Sequence, residues 1–332
     1  MKIVIVTPES ISAPLGNSVT AIRWAGILRG LQHDVDVVNE YESEDCDLLI
    51  ALHACRSAES VEAFLRAHPD RPVIVGLTGT DLYRDLPASK AGQRALAAAT
   101  HIVALQECAL RELDDAARAR TTIIYQSAVP PEHPETPSPE FFDVCVLSHL
   151  RDVKDPLRAA YAARLLAPSS RVRIRHGGRA LEPGWKTKAR EEEELNFRYH
   201  WLGEQSHDQA MRLLTSSRLL VVSSAMEGGA NVIAEAVVCR VPVICSNIPG
   251  NVGMLGEDYP GYFRLRETEQ LAALLERAET DGSFFAALRD GTRRVETRFR
   301  PDEEVASWHR VLTPFAKSVA KSRGDSRKTE VE

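Results

Sequence analysis

The sequence predicts an α/β protein built from two parallel sheets in series. Three observations carry this expectation. Short apolar runs alternate with helical segments along most of the chain, the pattern of β-α-β units whose strands run parallel with helices on both faces. The alternation stops once, at VPPEHPETPSPE (129–140), where five prolines and four acidic or histidine side chains leave almost nothing to bury. It then restarts and runs to the C-terminal region.

In the first half, KIVIVT opens as a strand. A turn with Pro14 and Gly16 follows, then a helix over 17–31. VDVV and DLLIAL are the next strands, and a helix over 58–67 leads into PVIVGLT. A helix over 90–98 precedes THIVALQ, and a helix over 107–117 precedes TTIIYQ. After the proline-rich linker come FDVCVLS, a helix over 156–166, RVRIRH, RYHWLG, a helix over 207–214 and RLLVVSS. EGGANVIAE starts the next helix, PVICS is the next strand, and helices follow over 268–277 and 282–297. The reading gives a first domain over 1–135, a second over 140–298, a last helix over 302–316 that crosses back to the first domain, and a charged, disordered tail over 317–332.

Composition narrows the class. The 332 residues are 44% hydrophobic and 27% charged, ordinary for a globular protein of two domains. A net charge of -6 argues against nucleic acid as partner. The six cysteines include no C-x-x-C pair, which points to thiols in a reducing cytoplasm and away from structural zinc. No apolar run approaches the roughly 18 residues of a membrane span, and MKIVIVTPES reads as a strand, not a signal peptide. Protein partners are not indicated.

Open parallel sheets bind ligands at the carboxyl ends of their strands, so loops there carry the candidate chemistry, facing a cleft between the two sheets. The most informative is the segment after LLVVSSA. Glu227 and Glu235 bracket EGGANVIAE, with Gly228 and Gly229 at the turn and the amides of Gly229, Ala230 and Asn231 expected as free donors for an anion. A plain capped helix is the competing explanation. After FDVCVLS comes SHLRDVKDP, where His149, Arg151 and Lys154 offer up to three positive groups suited to a diphosphate. Gly177, Gly178 and Arg179 follow the next strand, and Gly203 and Glu204 follow the one after, placed for a nucleobase. In the first half, Gly16 and Asn17 open a helix, His53 and Arg56 follow DLLIAL, and Thr78, Thr80, Asp81 and Arg84 follow PVIVGL. The competing readings are capping by Asn17, Thr80 or Asp81 and a quietly packed histidine. Walker A, G-x-S-x-G and HExxH motifs are absent, and no G-x-G-x-x-G follows the first strand, against a plain dinucleotide dehydrogenase.

Taken together, residues 2–300 resemble the GT-B glycosyltransferases of the GT4-like group, with two Rossmann-like domains and a nucleotide-sugar donor in the second. Glu227 to Glu235 is similar to the family's E-x7-E element. The resemblance implies that Glu235 holds the ribose hydroxyls, Glu227 lies near the donor sugar, and the backbone of Gly228 to Asn231 meets sugar and phosphate. SHLRDVK is similar to the family's G-R-L-x-x-x-K element, with Lys154 on the donor diphosphate. His149 stands where the family has arginine, and Arg151 is expected to supply the missing charge. A narrower resemblance rests on ALHACRSAES, LTGTDLYRD and SHLRDVKDP, which look like the selenosugar synthases of selenoneine biosynthesis. It implies transfer of a hexose or N-acetylhexosamine from a UDP-sugar to selenophosphate, giving a 1-selenosugar, UDP and phosphate without a metal or other cofactor. Lys154, Arg151, Glu227, Asp81 and His53 would then be the catalytic set. Gly16, Asn17, His53, Arg56, Thr78, Thr80 and Arg84 would bind the acceptor. Two alternatives are a GT4-like enzyme with a small-molecule or glycan hydroxyl acceptor and a UDP-N-acetylglucosamine isomerase on the same fold. A non-catalytic nucleotide-sugar binder is a third.

Overall fold

The computed structural model describes residues 1–10 and 16–329, with side chains as far as residue 319. The chain forms two compact units, Met1–Gln126 with Asp302–Glu332, and Ser127–Pro301.

The first unit holds β1 (Lys2–Val6), α1 (Gly16–Gly30), β2 (Asp34–Val38), β3 (Leu48–Leu52), α2 (Ala58–Ala67), β4 (Val73–Gly76), α3 (Lys90–Ala98), β5 (His101–Ala104), α4 (Asp115–Ala119) and β6 (Thr121–Ile123). Its six strands are parallel in the order β2-β1-β3-β4-β5-β6. β3 is buried at every position, which is why LLIAL reads as a continuous apolar run and not as an alternation. Alternate residues of the strands feed two cores on opposite faces.

One of these cores also takes in the end of the chain. Trp308, Val311 and Leu312 join Trp24, Ala25 and Leu28 of α1, and the rings of Trp24 and Trp308 meet edge to face at 4.7 Å. These residues lie on α12 (Pro301–Thr329), which is longer than the 302–316 read from the sequence. The tail expected to be disordered from 317 is helical through Thr329, as a continuation of α12. Residues 330–332 of that expectation lie outside the described residues.

The second unit holds β7 (Phe142–Leu147), α5 (Arg158–Ala163), β8 (Val172–Gly177), α6 (Trp185–Leu195), β9 (Tyr199–Gly203), α7 (His207–Thr215), β10 (Leu219–Val222), α8 (Asn231–Val238), β11 (Val243–Ser246), α9 (Pro249–Leu255), β12 (Tyr262–Phe263), α10 (Thr268–Thr280) and α11 (Gly282–Val295). Its parallel order is β12-β11-β10-β7-β8-β9. Both units are Rossmann-like, as the alternation predicts.

Several elements differ from the sequence reading. The helix expected over 107–117 is a 3-10 turn, Glu107–Glu112, followed by α4, because the Asp114 carboxylate accepts the Ala117 amide and starts a new helix. α6 went unread because WKTKAREEEEL has no apolar stripe; it buries only Ala189 and Glu192. α9 and β12 were also unread, both short. All six cysteines are free thiols. No helix among the described residues is long and apolar enough to cross a membrane.

Candidate active site

In each sheet the strand order reverses once, and such a switch point separates two loops at the carboxyl ends of neighbouring strands. In the second unit β7 lies between β10 and β8, so the loops after β7 and after β10 meet. They are the loops that carry SHLRDVK and EGGAN.

Polar bonds stitch the two loops together. Ser223 Oγ donates to the carbonyls of Lys154 and Asp155 at 3.2 and 2.8 Å. The Ala225 amide donates to Val153 O at 2.8 Å. Asp155 takes the left-handed conformation (φ 44°), which reverses the chain after the short 3-10 turn Asp152–Lys154. Across this seam Lys154 Nζ donates to Glu227 Oε1 at 2.5 Å, with the two side chains only 20% and 10% exposed.

The support comes from α9, which the sequence reading missed. Gly250 lies against the Glu227 main chain so closely that a Cβ there would sit 2.1 Å from Glu227 O. Four residues on, Met254 Sδ accepts the Ala230 amide at 3.1 Å. The signal was present in IPGN: a proline at the first helical position.

The structure corrects two details of this loop. α8 begins at Asn231, and the Ala230 amide expected to be free is spent on Met254. Helix geometry instead leaves the amides of Asn231 and Val232 without intrahelical partners. His149 is not a third positive group. Burial and the nearby Arg179 and Arg151 hold its pKa below the usual histidine value, and its Nδ1 accepts the Arg179 amide at 3.1 Å. Arg151 Nε is buried without a partner.

Gly178 lets the next loop close over this one, since a Cβ there would meet Ser148 O at 1.8 Å. Gly203 takes a positive φ of 72°, and its carbonyl accepts the Gly178 amide at 2.7 Å. Glu204 is exposed and pairs with Arg179 at 3.5 Å. Glu235, half-buried on α8, has Oε1 3.8 Å from His207 Nδ1. Gly228 and Gly229 are half-buried in the turn before α8.

In the first unit the switch lies between β1 and β3. Residues 11–15 of the loop after β1 lie outside the described residues. At the start of α1 the Asn17 amide is taken by Glu9 Oε2 at 3.0 Å, so the anion position expected at Gly16 and Asn17 is filled by the chain's own carboxylate. After β3, His53 is fully buried at φ 69°, with Nδ1 3.2 Å from Asp81 Oδ1 and Nε2 3.4 Å from Asp85 Oδ2. Asp81 is fully buried and accepts the amides of Ala54 and Cys55 at 2.7 and 3.2 Å. Burial and this carboxylate push the Cys55 thiol up to about 12. His53, Cys55 and Asp81 each offer a ligand atom within 4.8 Å of the others, but they already bond to one another and to the loop amides.

The cations expected to meet an anionic acceptor are less available than the sequence suggests. Arg84 makes a two-pronged pair with Asp85 at 2.7 and 3.2 Å, which holds the Asp85 carboxyl below the usual range. Arg56 is exposed. Thr78 Oγ1 is buried without a partner, and Thr80 precedes the π-turn Asp81–Asp85 without capping it through its side chain.

Residues 132–295 match the family model of Glycosyl transferases group 1. No curated protein sequence matches the chain. Among solved structures, Anabaena Alr3699/HepE in complex with UDP and glucose is 17% identical with a TM-score of 0.70, over 97% of this chain and 100% of that one. Sucrose-phosphate synthase from Thermosynechococcus elongatus has a TM-score of 0.72 at 14% identity, over 96% and 99%. A glycosyltransferase from Rickettsia africae has a TM-score of 0.68 at 14% identity, over 94% and 98%. These likenesses show the GT-B fold. Every candidate donor residue from His149 to Glu235 lies inside the matched glycosyltransferase domain, and every candidate acceptor residue lies outside it.

Proposed function

We propose that this chain is a glycosyltransferase that takes a hexose or N-acetylhexosamine from a UDP-sugar, with selenophosphate as acceptor. The observation that carries the donor half is the seam between Lys154 and Glu227 at the switch point of a group 1 glycosyltransferase domain. The structural neighbour bound to UDP and glucose supports the choice of donor.

In this reading the donor diphosphate displaces Glu227 from Lys154 and takes up the ammonium, the Arg151 guanidinium and the amides at the start of α8. Charge that develops on the leaving oxygen is met by groups already fixed and partly desolvated, which is where electrostatic stabilisation is largest. Released from Lys154, Glu227 turns to the donor sugar, and Glu235 holds the ribose hydroxyls. The bond from C1 to the diphosphate oxygen breaks and a C1–Se bond forms, releasing UDP; water then attacks phosphorus, the P–Se bond breaks, and phosphate leaves the 1-selenosugar. Selenium in selenophosphate is already anionic, so no strong general base is required. The transfer needs no metal, and its substrates place it in the cytoplasm. Support for selenophosphate comes from the sequence resemblance of HACR, TGTDLYRD and SHLRDVKDP, with Arg56 and Thr78 left to receive it.

One observation favours a second reading. His53 Nδ1 lies 3.2 Å from Asp81 Oδ1 and accepts the Arg56 amide, while Nε2 is buried without a hydrogen-bond partner, and a nitrogen left over in this way suits proton removal from a neutral hydroxyl better than reception of an anion. A hydroxyl acceptor would then lose its proton to His53. Incubation with UDP-N-acetylglucosamine, with and without selenophosphate, separates the readings by UDP release and product mass. UDP and a selenosugar formed only with selenophosphate support the first. UDP release that needs an alcohol and ignores selenophosphate supports the second, and release with no acceptor contradicts both.

A further inference from the structure

We propose that the second unit carries a separate site for a phosphate group on the face of β8 away from α5. A cavity of about 530 Å³ lies there, within the range of about 300–1,000 Å³ found for small-molecule sites. Its lining includes Arg173, Arg175 and His200 with the hydroxyls of Thr136, Ser138 and Ser216.

The sheet explains why these groups converge. Val172, Ile174 and His176 point into the core, so Arg173 and Arg175 share the opposite face. Arg175 pairs in register with His200 on β9, which puts the histidine beside it on the same face. α7 covers this face only at the Gly177 end, where Leu213 packs on the glycine, and then stops at Thr215. The proline-rich segment closes the other side, tied down where the Glu135 amide donates to Thr215 Oγ1 at 3.0 Å. The sheet face therefore remains open where its arginines stand.

Charge accounting identifies the group left to bind. Arg173 is committed to Asp143 through two bonds of 2.6 and 2.9 Å. The other carboxylate at the cavity, Glu193, is held by Arg190 at 2.5 Å and by the Trp201 amide at 3.1 Å. Arg175 is half-buried, donates to Ser216 Oγ at 3.1 Å, and has no carboxylate within ion-pair distance among the described residues. A guanidinium in that state, beside an imidazole and three hydroxyls, matches the bidentate recognition of a phosphate. The cavity is larger than inorganic phosphate, so a phosphorylated small molecule is the fitting ligand. The carbonyls at the end of α7 oppose an anion, which keeps affinity modest.

The site differs from the one containing Lys154, and the test uses that. Isothermal titration of the full chain with inorganic phosphate and with ribose 5-phosphate is done with UDP held at saturation. Both bind with UDP present, ribose 5-phosphate the tighter, at about millimolar Kd. Arg175→Met weakens both about tenfold or more and leaves the Kd for UDP unchanged. His200→Gln weakens both by a smaller factor and decides the matter if Arg175→Met does not fold. The proposal is overturned if neither probe binds up to about 20 mM, if UDP competes with both, or if His200→Gln and Arg175→Met keep the original affinities.

Discussion

Replacing Gly250 by alanine tests whether α9 sets the geometry of the donor loop. The backbone at Gly250 is helical, so propensity alone would favour alanine by up to about 1 kcal/mol. The added Cβ would sit 2.1 Å from Glu227 O, 2.7 Å from Glu227 C and 2.9 Å from Glu227 Cβ. These are main-chain atoms or the stem of the side chain, so no flexible end can swing away. Ordinary carbon contacts need about 3.5 Å, and α9 and the loop that carries Glu227 must part by about 1 Å. Overpacking of this kind costs about 1–3 kcal/mol, which exceeds the propensity gain. A net loss of about 1–2 kcal/mol lowers Tm by several degrees for a unit of this size. The displaced Glu227 leaves Lys154, and misplacement by about 1 Å can cost about 10²-fold in rate. Calorimetric Tm and the rate of UDP release from UDP-sugar measure the two effects. Gly26→Ala is the control: it lies on the exposed side of α1 with nothing within 4 Å of an added Cβ, and it should stabilise by about 1 kcal/mol. A Gly250→Ala protein with the parent Tm and the parent rate of UDP release would refute the clamp.

Lys154→Met removes the ammonium and leaves Glu227 without its partner; turnover of UDP-sugar falls about 10²-fold or more, read as UDP release, with a smaller change in Tm. Trp308→Ala opens a cavity against Trp24 in the first unit and costs about 3–5 kcal/mol, measured by urea unfolding. His176 is fully buried, and burial lowers its pKa to about 4. Its folded-state pKa lies below the unfolded value, so stability is complete above pH about 6.5 and falls toward pH about 4, by up to about 3 kcal/mol. His176→Gln should flatten that part of the pH profile, as followed by denaturant midpoints.

Much of the fold was legible because buried parallel strands announce themselves. LLIAL, VIVG and LLVV are apolar at every position, and their spacing leaves room for crossover helices. What failed was read by the same rule where it does not apply. α6 is charged almost throughout and is held by Arg164 bonding Glu192 and by a Glu192–Asn196 bond, interactions with no hydrophobic period. The two members of the Lys154–Glu227 seam were legible in residue type and order, since each follows a strand. That they meet depends on strand order, with β10 returning to the far side of β7, and composition carries no trace of that. Met254 could not be foreseen at all, because a thioether accepting the Ala230 amide is a matter of packing and not of pattern.

The first unit shows why residue lists overstate charge. His53, Arg56 and Arg84 read as three cations around an anionic acceptor. Folding sets two carboxylates among them, Asp81 buried against His53 and Asp85 between His53 and Arg84. Asp81 cannot be relieved of that position, because it also caps the amides of Ala54 and Cys55 that open the turn into α2. It is therefore a positioning residue for His53 before it is anything else. Asp85 is half-exposed and holds Arg84 on one edge only, so that ion pair is the adjustable member of the group. An anionic acceptor must either draw Arg84 from Asp85 or rely on Arg56, whereas a neutral hydroxyl needs only the histidine already in place. For the proposed anionic acceptor, what counts is therefore which guanidinium is free of a carboxylate, and not the number of basic residues in the loops.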